Sequence, residues 1–204
     1  MNKIDKLLRN LAVDISENGE DPIRLFKRFL DDIFIIWKGT IEELQLFLRE
    51  IYSLHPTIKF TAENTSPYKC DIVGPHDCFC HQTTSIPFLD TRVSIEGGKL
   101  ITDLYKKPSD RCQYLLPSSC HPSHITKNIL YNLCYRLLRI CSNRETLKSR
   151  LEELKALLVQ RGYRMKSIED AMKKVLKTPR EEALKLVKKK KNEIFFGNRF
   201  PSFC

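Results

Sequence analysis

Two adjacent carboxylates, Asp31 and Asp32, are the residues of this chain best placed to do chemistry. Phe29-Leu30 precedes them and Ile33-Phe34-Ile35-Ile36-Trp37 follows. Runs rich in Ile, Phe and Trp around a two-residue connection predict a tight β-hairpin with both aspartates at its tip. Asp is a permitted turn residue, but two neighbouring negative charges at the end of an apolar hairpin repel each other. A divalent cation relieves that repulsion, and hard oxygen ligands suit Mg²⁺. From composition alone, an ordinary solvated Asp-Asp turn fits equally well.

A second cluster, Cys70, His76, Cys78, Cys80 and His81, has the residue types that hold zinc. The spacing argues against it, because Cys78-Phe79-Cys80-His81 contains no Cys-x₂-Cys pair and has no matching second half. A metal-free loop is expected, with zinc at Cys78, Cys80 and His81 as the alternative. The 8 cysteines of the chain accompany no secretory signal and are expected as reduced thiols, several of them in the core.

Charge marks a third feature. The net charge is +10, yet residues 127–191 hold 19 Lys plus Arg against 7 Asp plus Glu, so the rest of the chain is slightly acidic. Such asymmetry points to a polyanion as partner for the C-terminal third, against a merely solvated helical surface. The basic residues of interest are Arg136, Arg139, Lys148, Arg150, Arg164, Lys166, Lys173 and Lys174.

These groups need elements to position them. Ile4, Leu7, Leu8, Leu11 and Ile15 recur at helical spacing until Asn18-Gly19-Glu20-Asp21-Pro22 interrupts. Thr40 and Glu43 form a capping box for a helix with Leu44, Phe47, Leu48 and Ile51 on one face, ended by Pro56. A strand is expected at 58–61 and an irregular insertion at 62–86. Phe88 to Ile95 alternates, Glu96-Gly97-Gly98-Lys99 makes a hairpin turn, and 100–106 returns. Pro117 to Ser123 is a proline-bearing linker, and beyond it the pattern is helical.

Ile125, Ile129, Leu133 and Leu137 mark the first of these helices. Ser142 with Glu145 reads as a capping box for a helix carrying Leu147, Leu151, Leu154 and Leu158, which Arg161-Gly162 closes. Ser167 with Asp170 opens the next, with Ile168, Ala171, Met172 and Val175, and Thr178-Pro179 caps a last one. A helix, a tight turn around Gly162 and a basic helix make a helix-turn-helix arrangement, which docks its second helix in a nucleic-acid groove.

Phe29-Leu30-Asp31-Asp32, followed by an apolar strand, resembles the aromatic-x-Asp-Asp palm hairpin of reverse transcriptases. Arg28-Phe29-Leu30-Asp31-Asp32-Ile33-Phe34 is similar to the Penelope-like retroelement branch. The segments at 58–61, 86–91, 103–110 and 120–122 (Cys120-His121-Pro122) stand in the order of that branch, within a resemblance spanning about residues 20–190. The resemblance implies that Asp31, supported by Asp32, is a catalytic Mg²⁺ ligand. Nucleotide addition uses two metals about 4 Å apart and a carboxylate from an earlier palm strand as well. Neither that strand nor the fingers is recognisable upstream, so a truncated polymerase, inactive alone, is expected.

The resemblance further implies that the 88–106 hairpin grips a primer end, with Lys106, Lys107 and Arg111 meeting backbone phosphate. The C-terminal helices would be a thumb holding an RNA–DNA or DNA duplex. The expected fold is thus α+β: a partial palm at 1–116, a linker at 117–123, a basic helical thumb-like or helix-turn-helix-like domain at 124–191, and a tail at 192–204. The alternative function is a non-catalytic helix-turn-helix nucleic-acid-binding protein. No apolar run reaches the ~20 residues of a bilayer span, and an intracellular, nuclear or cytoplasmic protein is expected.

Overall fold

A computed structural model describes residues 3–54, 57, 60–65 and 80–185. The elements in order are α1 (Lys3–Ile15), β1 (Ile23–Phe29), β2 (Asp32–Trp37), α2 (Ile41–Ser53), β3 (Ala62–Asn64), β4 (Cys80–Gln82) and β5 (Ser85–Phe88). They continue with β6 (Thr91–Glu96), β7 (Lys99–Leu104), α3 (Ser123–Ile140), α4 (Arg144–Gln160), α5 (Met165–Leu176) and α6 (Arg180–Leu184). The fold is mixed α+β, with small sheets ahead of a run of helices. Among the described residues no helix is long and apolar enough to cross a membrane.

β1 and β2 form the antiparallel hairpin that the alternation around Asp31 and Asp32 predicts. Its connection lies one residue earlier than expected: Leu30-Asp31 makes the turn, and Asp32 already pairs with Phe29. Leu30 takes φ 54°, a left-handed conformation unfavourable for a branched side chain, which projects into solvent there. Arg28 braces the tip from below, its guanidinium donating to the Leu30 carbonyl at 2.9 Å and to Asp5 of α1 at 2.8 Å.

One face of the hairpin, with Ile33, Ile35 and Trp37, packs among Leu8 and Ala12 of α1 and Phe47 and Ile51 of α2. Trp37 lies 5.2 Å from the Phe47 ring. The capping box of α2 forms as expected: Thr40 Oγ1 accepts from the Glu43 amide at 3.2 Å, and the Thr40 amide donates to Glu43 Oε2 at 2.8 Å. Glu43 also accepts from the Glu17 amide at 2.9 Å, tying the end of the α1 segment to the start of α2. Those backbone donors, Glu17 first, hold the Glu43 carboxyl below its ordinary range.

Among its described residues, the region read as an irregular insertion holds β3, β4 and the start of β5. β3 and β4 pair in parallel, and β5 begins an antiparallel β5-β6-β7 sheet. The expected strand at 58–61 is not found at Phe60 or Thr61; Ile58 and Lys59 lie outside the described residues. The candidate zinc ligands Cys70, His76 and Cys78 lie outside them too, while Cys80 and His81 open β4. The expected continuous strand from Phe88 to Ile95 is broken by a turn at Leu89-Asp90, with Leu89 at φ 57°. The Gly97-Gly98 turn forms as predicted, both glycines at positive φ and Glu96 opposite Lys99. Phe34 on the outer face of the first hairpin meets Phe88 of β5 at 5.5 Å.

Gly39 is fixed by close approach. A Cβ there would collide with the Glu43 carboxylate, and it would stand 2.9 Å from both Pro22 and the Trp37 indole nitrogen. Gly39→Ala is expected to destabilise the N-terminal half by about 1–3 kcal/mol through overpacking. Denaturant unfolding followed by Trp37 fluorescence checks it, since Trp37 is the single tryptophan.

Candidate nucleic-acid interface

The helices share one core. In α4, Leu147, Leu151, Leu154 and Leu158 are buried at three- and four-residue spacing. In α5, Ile168, Ala171, Met172 and Val175 do the same. Along α3 and its cap residue Cys141, the buried stripe is Leu130, Cys134, Leu137, Leu138 and Cys141, rotated from the expected Ile125, Ile129, Leu133 and Leu137, and Ile125 is exposed. Burial pushes the thiols of Cys134 and Cys141 up to about 11, so they pack as neutral side chains.

The turn between α4 and α5 is built by backbone hydrogen bonds. Gly162, at φ 86°, donates to the Val159 carbonyl at 2.9 Å, and Tyr163 donates to Leu158 at 3.1 Å. These are the two bonds of a Schellman ending, which needs a residue tolerant of left-handed φ at Gly162. Tyr163 then turns inward, its hydroxyl donating to the Leu115 carbonyl at 2.8 Å, and burial raises its pKa.

Three expected helix starts are corrected. Asn143, not Ser142, caps α4, accepting from the Glu145 amide at 2.9 Å. Ser142 is engaged by β7 instead, its hydroxyl and amide both bonded to Thr102. α5 begins at Met165 with Arg164 at the cap position and no side-chain cap, ahead of the expected Ser167. Pro179, not Thr178, is the cap residue of α6.

The basic residues separate by what they touch. Arg150 is partly buried and engaged by the fold: it reaches Asp103 of β7 at 2.6 and 3.0 Å and Glu153 at 2.7 and 3.0 Å. Those carboxylates, Asp103 first, strengthen its hold on its proton. Of the residues expected to contact phosphate, Arg150 is thus one whose donors already face carboxylates. Lys106 reaches the same Glu153 at 3.4 Å. Arg136 donates to Asp90 through Nε and Nη2 at 3.0 and 2.8 Å. With Arg139 it lines an open cleft of about 590 Å³ rather than the outer face of the bundle.

The outward set lies on α5 and at its start. Arg164, Lys166, Lys173 and Lys174 are all exposed, with Lys174 placed 4.8 Å over the Tyr131 ring of α3. Lys177, absent from the sequence-based set, is exposed just past the end of α5; Lys166, Asp170, Lys173 and Lys177 follow one another at helical spacing. Of the acids on α5, Glu169 pairs with Lys155 of α4 at 3.4 Å, and exposed Asp170 is the one carboxylate within the outer basic row. Lys148 is exposed on α4 beside Glu145 and Glu152 in sequence spacing, so its face is mixed in sign. Lys107 and Arg111 are exposed in the segment after β7.

Asp31 and Asp32 are both exposed at the hairpin tip. Their oxygen donors suit a hard cation, but both come from one hairpin, and no group of three or more potential metal ligands occurs among the described residues.

Residues 113–173 match the family model of the animal helix-turn-helix domain, a stretch that takes in α3, α4 and most of α5. No curated protein and no solved structure matches the chain.

The Asp103–Arg150 pair carries a pH signature. Burial alone would raise the Asp103 carboxyl, but Arg150 and the Leu104 amide hold it below its ordinary value. A lowered folded pKa stabilises above the unfolded value, and the stability is lost as pH falls through the folded one. Asp103→Asn is therefore expected to cost about 1–2 kcal/mol at neutral pH, a modest figure because the pair is partly screened by solvent. The gap to the parent protein should narrow only below about pH 4, the ordinary aspartate range; urea unfolding at several pH values checks both.

Proposed function

We propose that the helical part of this chain is a helix-turn-helix nucleic-acid-binding unit, with α5 as the helix laid against a groove. The observation that carries it is the division of α5. Its apolar stripe is locked into the core behind the Gly162 turn, and Arg164, Lys166, Lys173 and Lys177 are left facing solvent. Phosphate contacts from such a row supply affinity and release counterions. Polar groups in the first turn, here Arg164, Lys166 and Ser167, stand where a recognition helix meets base edges. The match to the animal helix-turn-helix domain supports the same assignment.

Fluorescence anisotropy of the whole chain with labelled duplex DNA tests it. Binding is expected to weaken steeply as salt rises. Lys166→Ala and Lys173→Ala should each lower affinity and reduce the salt slope by about 1. A preference among random duplex sequences distinguishes groove reading from a thumb that holds backbone alone. Absence of binding at low salt removes the proposal.

A second reading, a polymerase palm of the Penelope-like type in the N-terminal half, is favoured by one observation. Asp31 and Asp32 stand exposed at the end of an apolar hairpin that α2 covers from one side. Mg²⁺, when bound there, would supply charge neutralisation for nucleotide addition. Asp31 and Asp32 would hold the ion, and Arg28 would keep the tip in place. Two-metal chemistry also draws on carboxylates beyond one hairpin, so this chain alone is expected to give no primer extension with Mg²⁺, dNTPs and primed RNA. Extension that Asp31→Ala abolishes would show the chain to be an active polymerase instead.

A further inference from the structure

The cleft beneath α3 is separate from the α5 surface and does not depend on how that surface is used. Asn132, Arg136 and Arg139 project into it from α3 at three- and four-residue spacing, Arg180 enters from the start of α6, and Asp90 and Thr91 close it from the sheet. Its volume of about 590 Å³ falls within the range of small-ligand sites. The charge of its lining does not balance. Three guanidiniums face one carboxylate, and that carboxylate is taken by Arg136, whose Nη1 edge remains outside the pair.

Arg180 is the sharper sign. One of its Nη2 protons goes to the Arg139 carbonyl at 3.2 Å. Its Nε–H is buried and meets no acceptor among the described residues. A donor atom left without a partner is costly, and an anion bound by the Arg180 guanidinium would offer it an acceptor. Arg139 is exposed at the rim and has no side-chain partner among the described residues.

From these residues we infer that the α3–α6 cleft binds a phosphate group. A carboxylate would neutralise one charge, whereas a phosphate dianion matches the surplus of two. The planar fork of a guanidinium meets two phosphate oxygens at once. Arg139 and Arg180 form the clamp, the free edge of Arg136 adds donors, and the Asn132 amide and Thr91 hydroxyl fit the remaining oxygens. The group could be carried by inorganic phosphate or by the 5′ end of a nucleic acid, and the chemistry of recognition is the same for both.

Isothermal titration of the full chain with inorganic phosphate, ionic strength held constant with chloride, is the test. Saturable one-to-one binding is expected. Arg139→Gln and Arg180→Gln should each weaken it by about tenfold or more, the loss of one charged hydrogen bond. Arg180→Lys should weaken it as well, because lysine keeps the charge but has no Nε–H at the buried position. Lys6→Gln, on the distant α1, should leave it unchanged. Circular dichroism verifies each fold; if the Arg180 variants unfold, Arg139→Gln carries the test, its side chain being exposed.

A parallel arm compares a 5′-phosphorylated oligonucleotide with its unphosphorylated twin. A gain in affinity that Arg139→Gln erases assigns the phosphate to a nucleic-acid end. Equal affinities alongside saturable inorganic phosphate binding assign it to the free anion. No saturable binding of either phosphate, or undiminished binding in Arg139→Gln and in folded Arg180→Gln, overturns the inference. Because inorganic phosphate is the probe, failure of the α5 reading leaves this result intact, and the reverse holds too.

Discussion

The joint between β7 and the helices governs how the rest of the molecule is arranged. Asp103 on β7 receives two hydrogen bonds from Arg150 of α4, and Thr102 beside it bonds to Ser142 and to the Ile140 carbonyl. Charged, multiply bonded contacts of this kind are stronger and more directional than the apolar packing around them. They hold the three-stranded sheet against the ends of α3 and α4. Leu104 and Tyr114 consequently join the helical core, although both precede the proline-bearing segment at 117–123.

Two consequences follow from that joint. With the sheet held in place, Asp90 in the β5–β6 turn comes beside Arg136 of α3. One side of α3 then faces the core and the other faces a cleft, which splits its arginines from those on α5. The basic character of the C-terminal third, uniform when counted along the chain, separates in space among the described residues. Arg150 is a clamp, Arg136, Arg139 and Arg180 line a cleft, Lys148 sits on a mixed face of α4, and an open row runs along α5.

The N-terminal half repeats one local solution. Phe29-Leu30-Asp31 and Phe88-Leu89-Asp90 both turn two strands through a leucine at positive φ, 54° and 57°, with the phenylalanine paired to the residue after the aspartate. Leucine is a poor choice for that conformation, since its Cβ crowds the backbone. The two aspartates have opposite surroundings: Asp31 is exposed at a free tip, and Asp90 meets a guanidinium. Identical turn chemistry thus yields one open carboxylate and one engaged one.

Much of this was readable in the residues, because it depends on local spacing. The first hairpin, the Gly97-Gly98 turn, the Thr40–Glu43 capping box, the leucine faces of α4 and α5 and the Gly162 ending all arise from contacts within a few positions. Some of the misplaced features share the opposite property. Ser142 looks like a cap but is claimed by Thr102 of β7, 40 residues away. Arg150 looks like a phosphate contact but is claimed by Asp103, 47 residues away. The strands at 62–64 and 80–82 are short and pair across a long gap, leaving little periodicity to read. The sequence by itself determined the main helices, the first hairpin, the Gly97-Gly98 hairpin and that the charge is lopsided. Only the tertiary structure decided which basic groups remain free, because a charged side chain is neutralised by whatever the fold brings within 3 Å of it, and that partner is seldom its neighbour in the chain.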